Sequence, residues 1–220
     1  MSVEELPGGW SVERVVGDAD ALHHADVPAR RLVRFGEVAA PAAVLGSTQA
    51  GELIRSDALE RSGRQLVRRR SGGGVVLLDP GRQLWCDVVI PRGDPLWDDD
   101  VERASWWVGE WWAGVIDGGA VHRSGLTDRA AGAVACFAAV GPGEVVVGDA
   151  KVVGISQRRT RELARFQTVA YLDWEAAELL DLLSPGVLSA SGREALEQRV
   201  RPVGGPEEDL IGDLLGSLPS

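Results

Sequence analysis

The order of the strands predicted in the second half of the chain is the feature that most constrains its fold. Two valine-rich strands, at 144–147 and 151–156, have Gly148-Asp149 between them, which is typical of a tight hairpin turn. A third strand is predicted at 166–172, and no helix is predicted between the three. Parallel strands need a long crossover connection, so this arrangement excludes a regular alternation of strands and helices. It predicts an α+β fold, a single domain in which helices pack on a mixed, largely antiparallel sheet.

The remaining predicted elements alternate irregularly. Further strands are predicted at 10–16, 42–46, 65–70, 75–78 and 84–90, and helices at 19–25, 49–62, 98–116, 174–183, 192–200 and 207–218. The helix at 49–62 has Ser47 or Thr48 to cap its start and Gly63 to end it. A chain of 220 residues is long enough for one well-filled domain. We expect 1–220 to form that domain, with C-terminal helices in 174–218.

Charge and composition exclude several classes of protein. The net charge of −10 argues against general nucleic-acid binding, which requires a basic surface. No apolar run approaches the roughly 20 residues that a membrane span needs. The start, MSVEELPGGW, lacks the basic and apolar regions of a secretory signal. Two cysteines, Cys86 and Cys136, are too few for a disulfide framework. We therefore expect a reduced, cytoplasmic protein without nucleic-acid or membrane partners.

The basic residues are unevenly distributed. Of the 23, Lys151 is the single lysine and the other 22 are arginines. Codon usage commonly produces such an excess of arginine over lysine. However, lysine is compact and its pKa can move, so a single retained lysine also suggests a position that needs an ammonium group. Two runs of basic residues are each either a solvated face or part of a site for an anionic ligand or acidic partner. They are Arg64, Arg68, Arg69, Arg70 and Arg82, and Lys151, Arg158, Arg159, Arg161 and Arg165.

Two groups of apolar residues are interpreted mainly as core. The helix predicted at 98–116 carries Trp106, Trp107, Trp111 and Trp112 on adjacent faces. We favour core packing for these side chains, and the alternative is the wall of an apolar ligand site. Cys86 alternates within a predicted strand and is interpreted as core.

Two short segments carry the residues best suited to chemistry. The first, 68–74, reads RRRSGGG, in which glycines let backbone N–H groups approach a ligand and arginines supply charge for a phosphate or carboxylate. Its spacing differs from the dinucleotide fingerprint and from the Walker loop. The second, 148–159, reads GDAKVVGISQRR and holds the single lysine. In a regular strand Lys151, Val153 and Ile155 face one side, and Gly154 permits close approach of a ligand or backbone.

Taken in this order, the two segments resemble the lipoate–protein ligase A superfamily, which includes octanoyltransferases and is related to biotin ligases. The resemblance covers roughly 42–173 and implies a biotin/lipoate ligase-like fold. It implies that the lysine, Lys151, contacts the acyl carbonyl, where an ammonium lowers the barrier to acyl transfer. No protein metal site is expected. By position, the resemblance assigns substrate binding to Arg69, Arg70, Ser71, Gly72, Gly73, Gly74, Gly154, Ser156 and Gln157.

Three places depart from the ligase pattern. Leu78-Asp79 and Arg82 stand where many ligases have His-Asp and Asn, and Ala135-Cys136-Phe137 stands where ligases tend to have Asn-Asp. The Cys-Phe pair is similar to thiol-dependent octanoyltransferases, and GISQRR is similar to amidotransferases that move octanoyl between carrier proteins. In those branches the cysteine holds the acyl group as a thioester. The resemblance gives that role to Cys136, with nearby Lys151 favouring the thiolate. The other interpretation of Cys136 is a buried apolar residue.

The resemblance implies an enzyme that places an octanoyl or lipoyl group on the acceptor lysine of a lipoyl-carrier domain, such as the glycine-cleavage H protein or the lipoyl domains of 2-oxoacid dehydrogenases. A thioester-dependent acyltransferase needs no cofactor. Two alternatives remain, an ATP- and Mg²⁺-dependent ligase that makes an acyl-adenylate, and a non-catalytic relative that binds the acyl group or the carrier. We expect the carrier to dock on Arg158, Arg159 and Arg161. If Lys151 is solvated, Lys151→Arg should fold normally and lose acyl transfer.

Overall fold

The computed structural model describes residues 4–220, so the first three residues of the expected domain 1–220 lie outside the described part of the chain. The strands are Glu4–Leu6 (β1), Trp10–Gly17 (β2), Leu32–Val38 (β3), Ala42–Leu45 (β4), Gln65–Arg68 (β5), Val76–Leu78 (β6), Gln83–Pro91 (β7), Gly119–Val121 (β8), Val145–Val147 (β9), Ala150–Arg159 (β10) and Leu163–Tyr171 (β11). The α-helices are Ala19–His24 (α1), Ser56–Ser62 (α2), Trp106–Ala113 (α3), Arg129–Val134 (α4), Ala176–Leu182 (α5), Ala190–Gln198 (α6) and Glu207–Gly216 (α7).

The strands form two sheets. The larger sheet has eight strands in the order β1-β2-β3-β7-β11-β10-β9-β8, and only β2 and β3 pair in parallel. At its centre β7 and β11 pair antiparallel along their whole length, from Pro91↔Leu163 to Gln83↔Tyr171. The smaller sheet has the order β5-β4-β6, with β4 and β5 parallel. The predicted α+β fold with a mixed, largely antiparallel sheet is confirmed.

Two hydrophobic cores lie on the two faces of the larger sheet. Alternate residues of β7 divide between them, as the two-residue period of a strand requires. Leu84 and Cys86 belong to the core covered by α3 and α7, which confirms Cys86 as a core residue. Trp85 belongs to the other core, together with the smaller sheet, α5 and α6. The latter face, between the two sheets, contains the candidate site.

Three of the four tryptophans of α3, Trp107, Trp111 and Trp112, pack in the first core, as favoured from the sequence. Trp111 and Trp112 are buried, and their indole N–H groups donate to Leu214 O at 2.8 Å and to Thr168 Oγ1 at 3.2 Å. The helix is shorter than the predicted 98–116, because residues before Arg103 form turns capped by aspartate side chains. None of the helices within residues 4–220 is long and apolar enough to cross a bilayer.

Other element boundaries also differ from the predictions. The helix predicted at 49–62 starts only at Ser56, because Gly51–Leu53 forms a separate 3-10 turn and Ile54 bridges to Leu183. Gly63 ends it in a left-handed conformation (φ 66°), as predicted. The strands β1, β3 and β8 and the helix α4 were not predicted.

Candidate active site

Arg69 holds the glycine-rich loop in shape. Arg69 is 3% exposed, and its guanidinium donates to Gly72 O at 2.7 Å and to Gly74 O at 2.9 Å. Burial lowers the pKa of Arg69. Gly73 adopts φ +97°, which favours glycine, and a Cβ on Gly74 would lie 2.5 Å from the backbone of Ala135. The glycines therefore allow the loop to touch the chain segment that leads into Cys136.

The loop also meets the strand that carries the lysine. Ser71 Oγ donates to Ser156 Oγ of β10 at 3.1 Å. Gly72, Gly73 and Arg70 remain exposed beside this contact. The two segments singled out in the sequence, about 80 positions apart, therefore lie together in space.

Cys136 begins a one-turn 3-10 helix, Cys136–Ala138, directly after α4. Asp128 caps α4 by accepting from Ala131 N at 2.9 Å, and Gln49 Nε2 donates to Val134 O at 3.0 Å. The amide of Cys136 donates to Val75 O at 3.0 Å, which joins it to the end of the glycine-rich loop. These bonds fix the backbone of a cysteine whose side chain is only partly buried.

A β-bulge in β10 turns Lys151 toward Cys136. The register with β9 shifts by one residue between Lys151 and Val153. Val152 and Val153 therefore both pack in the core beneath α3, whereas Lys151 lies on the side of Gly154. The expectation that Lys151, Val153 and Ile155 share one face is wrong, because the bulge interrupts the regular alternation.

The Lys151 ammonium is buried in a cage of oxygen atoms, with 1% of the residue exposed. Its Nζ lies 2.8 Å from Cys136 O, 3.0 Å from Ala139 O and 2.6 Å from Glu144 Oε2. The same Nζ lies 3.8 Å from Cys136 Sγ and 4.8 Å from the centroid of the Phe137 ring. Lys151 thus brings a positive charge to the cysteine sulfur.

The surroundings keep this lysine charged. Burial lowers the pKa of Lys151, but the electrostatic and hydrogen-bond effects of Cys136 and Glu144 outweigh burial, so the pKa is raised. Glu144, 5% exposed, is fixed in turn by Gly141 N at 2.7 Å and Ile155 N at 3.1 Å. Lys151 is not solvated, so the condition on which Lys151→Arg was expected to fold normally is not met. We expect the larger guanidinium to overfill the cage.

A narrow, largely apolar cavity lies beside Cys136, between the two sheets. Leu78, one of the departures from the ligase pattern, forms part of its apolar wall. Two predicted site residues, Gly154 and Ser156, reach it from β10. The complete lining comprises His23, Arg69, Val76, Leu78, Trp85, Cys136, Phe137, Gly154, Ile155, Ser156, Gln167 and Val169. An apolar wall with a cysteine at its side has the chemical character of an acyl-chain site, although the cavity itself encloses only about 30 Å³.

The two basic runs meet only in part. In the first run, Arg64 pairs with Asp79 and Glu178, and Arg82 pairs with Asp173 and Glu178. Arg165 of the second run is buried against Asp87. Exposed arginines from both runs nevertheless line one surface depression, namely Arg70, Arg158 and Arg161.

Gln157, a predicted substrate-binding residue, is not brought to the cavity. Its partner across the β10–β11 ladder is Phe166, which belongs to the core beneath α3, so the two side chains share the opposite face of the sheet. Its amide is buried, and within residues 4–220 it has no hydrogen-bond partner. Nor does this part of the chain hold a group of three or more His, Cys, Asp or Glu side chains that could bind a metal ion.

Comparison with known proteins supplies the family. Residues 18–203 match the family model of the lipoyl protein ligase A/B catalytic domain. No curated protein sequence matches the chain. A putative lipoate protein ligase from T. acidophilum with bound lipoic acid is 16% identical and has a TM-score of 0.66, covering 90% of this chain and 74% of that chain.

Two further solved structures are similar. Lipoate-protein ligase A bound with ATP is 18% identical, with a TM-score of 0.68, and covers 92% of this chain and 81% of that chain. The third structure comes from work on a bi-partite lipoate protein ligase and its E2 lipoyl domain from Thermoplasma acidophilum. It is 14% identical, with a TM-score of 0.69, and the match covers 93% of this chain and 80% of that chain. At these identities the structures show a shared fold. The family model matches most of the chain, which therefore belongs to the lipoyl protein ligase A/B catalytic domain family.

Proposed function

We propose that the protein is a cysteine-dependent acyltransferase. It moves an octanoyl or lipoyl group from a thioester donor to the acceptor lysine of a lipoyl-carrier domain, and Cys136 carries the group between them. The observation that carries this proposal is the buried Lys151 ammonium, 3.8 Å from Cys136 Sγ at the wall of an apolar cavity. An ammonium beside a thiol favours the nucleophilic thiolate.

The reaction has two transfers that balance. In the first, the Cys136 thiolate attacks the carbonyl carbon of the donor thioester. The new bond to Sγ forms, the bond to the donor sulfur breaks, and the donor leaves as a thiolate that takes a proton from water. In the second, the neutral amine of the acceptor lysine attacks the Cys136 thioester. The amide forms, the amine proton passes to water, and the Cys136 thiolate is restored beside Lys151.

Lys151 acts on both transfers through its charge. The carbonyl carbon of the intermediate is bonded to Sγ, so its oxygen lies near the ammonium that contacts the sulfur. A fixed positive charge in a water-poor site stabilises the negative charge that develops on this oxygen. Glu144 acts indirectly, by holding the ammonium in place at 2.6 Å.

The carrier is proposed to dock on the exposed arginines. Arg70, Arg158 and Arg161 line one depression on the surface. Because the whole chain is acidic, with a net charge of −10, an acidic carrier needs such a local basic surface to approach. We further propose that residues 1–220 work as one catalytic unit in the cytoplasm, where Cys136 stays reduced.

An ATP-free transfer assay tests the proposal. The protein is incubated with an octanoyl thioester of a carrier and an apo lipoyl domain, and the mass of the lipoyl domain is followed. Octanoylation is expected without ATP, and Cys136→Ser should abolish it. Cys86→Ala is the matched control, since Cys86 is buried in the other core and should leave transfer intact. Transfer that requires free octanoate and ATP and survives Cys136→Ser would instead establish the adenylate-forming ligase.

A further inference from the structure

His23 is a buried polar residue on the wall of the acyl cavity that the proposed reaction does not use. It lies in the last turn of α1, is 8% exposed, and packs its ring 4.4 Å from the ring of Trp85. Trp85 and Gln167 also line the cavity. A histidine in a largely apolar wall is placed to recognise a polar group on the ligand.

A hydrogen-bond network fixes which nitrogen of His23 carries the proton. Trp85 Nε1 and Gln167 Nε2 both donate to Asp87 Oδ1, at 2.9 and 3.1 Å. The oxygen of the Gln167 amide is therefore the atom that faces His23 Nδ1, at 3.3 Å. Because that oxygen only accepts, Nδ1 carries the hydrogen and Nε2 is left as a bare acceptor.

The His23 ring is neutral at physiological pH. Burial lowers its pKa to about 3, and the nearby positive charges of Arg69 and Arg165 act in the same direction. Nε2 is buried and finds no hydrogen-bond partner among residues 4–220. Since buried polar atoms are nearly always paired, an acceptor in this position calls for a donor supplied by the ligand.

The sheet separates this acceptor from the segment that carries the reacting sulfur. Phe137, the residue after Cys136, lies against Gly154 of β10, whereas His23 packs on Trp85 of β7 and faces Gln167 of β11, the strand between them. The strands β10 and β7 are two strand spacings, about 9.5 Å, apart. A group bonded to Cys136 would therefore meet His23 with the distal part of its chain.

We propose that the cavity selects a medium-length acyl group bearing a hydrogen-bond donor, a hydroxyl or a thiol, in its distal half, and that His23 Nε2 accepts from that donor. The inference rests on the proposed function for the acyl nature of the ligand. It adds that a plain alkyl chain binds more weakly than a donor-bearing chain, because the alkyl chain leaves His23 Nε2 buried without a hydrogen-bond partner.

Binding of free acids to the full-length protein tests the inference without requiring transfer. Dissociation constants are measured by calorimetry for octanoate, for hydroxyoctanoates substituted on successive distal carbons, and for the matching thiols. One position is expected to bind tighter than octanoate on the order of 10-fold, since an unpaired buried acceptor is costly. Comparing the hydroxyoctanoates with the matching thiols shows whether His23 Nε2 accepts from a hydroxyl or from a thiol. Equal affinities across the series, or no binding of any acid, would overturn the inference.

Two variants locate the preference. His23→Phe keeps a ring against Trp85 but removes Nε2, and should bring the donor-bearing acids to the affinity of octanoate. His24→Phe, the same change at the neighbouring histidine of α1, which does not line the cavity, should keep the preference. A preference that survives in folded His23→Phe protein contradicts the inference. The acyl-transfer assay separates the two proposals: a donor preference in binding without any transfer refutes the proposed function and leaves the selectivity standing.

Discussion

Replacing Lys151 by methionine tests the buried cage as both a structural and a catalytic element. Methionine keeps much of the unbranched stem but removes the ammonium that bonds Cys136 O, Ala139 O and Glu144 Oε2. The carboxylate of Glu144, a residue that is 5% exposed, is then left without its counter-charge. Breaking a buried ion pair by removing one partner costs about 3–5 kcal/mol. In a chain of this length each kcal/mol lowers Tm by roughly 2–4 °C, so we expect Tm to fall by roughly 6–20 °C.

The double variant Lys151→Met/Glu144→Gln separates stability from catalysis. Neutralising Glu144 removes the orphaned charge, so the free energy of unfolding should recover in part relative to Lys151→Met. Acyl transfer should not recover, because no positive charge remains beside Cys136 Sγ. Thermal unfolding and the ATP-free transfer assay are measured on wild type, both single variants and the double variant.

The pH dependence of stability supplies a check on the charge of the pair. A lysine whose pKa is raised in the folded state contributes stability that is fully present below the ordinary pKa of 10.5 and is lost as pH rises through the higher, folded value. The stability gap between wild type and Lys151→Met should therefore be constant through neutral pH and shrink only in strong alkali. A folded Lys151→Met protein with wild-type Tm, or a double variant that regains transfer, would refute this reasoning.

Three further predictions follow from the loop, the histidine and the arginines. Gly74→Ala should disturb the backbone next to Cys136 and abolish transfer, whereas Gly72→Ala, whose Cβ meets nothing within 4 Å, should be tolerated. Transfer rates and melting curves of the two variants test this difference. Because the pKa of His23 is lowered to about 3, the free energy of unfolding should fall as pH drops below 6.5, by at most ~1.4 kcal/mol per pH unit. Denaturant titrations of His23→Phe should show no such loss from this residue. Arg158→Gln should raise KM for an acidic carrier at low salt and make it less salt-dependent, whereas Arg14→Gln, paired with Glu208 away from the depression, should not.

The parts of the fold that depend on local signals could be predicted from the sequence. The Gly148-Asp149 turn sets the hairpin of β9 and β10, and Gly63 ends α2. The strand β3 was missed although it is central, because Arg34, Gly36 and Glu37 interrupt its apolar pattern. Its place between β2 and β7 is set by long-range pairing.

The candidate site could be located from its motifs but its geometry could not. The ordered pair of segments indicated the loop and Lys151, yet the direction of the lysine depends on a bulge that only the pairing of β9 with β10 creates. The sequence contained one signal for Glu144. A buried lysine needs a counter-charge, and Glu144 is the first residue of the predicted valine-rich strand that precedes Lys151. His23 gave none, because it meets Gln167 across 144 positions of sequence.

Trapping the acyl intermediate tests the central claim most directly. The protein is mixed with a carrier-bound octanoyl thioester in the absence of ATP, quenched in acid within a single turnover, and digested for peptide mass mapping. The account predicts one octanoyl group on the peptide containing Cys136, none on the peptide containing Cys86, and its loss when apo lipoyl domain is added before the quench. Productive transfer without any adduct on Cys136 at any time point would contradict the account.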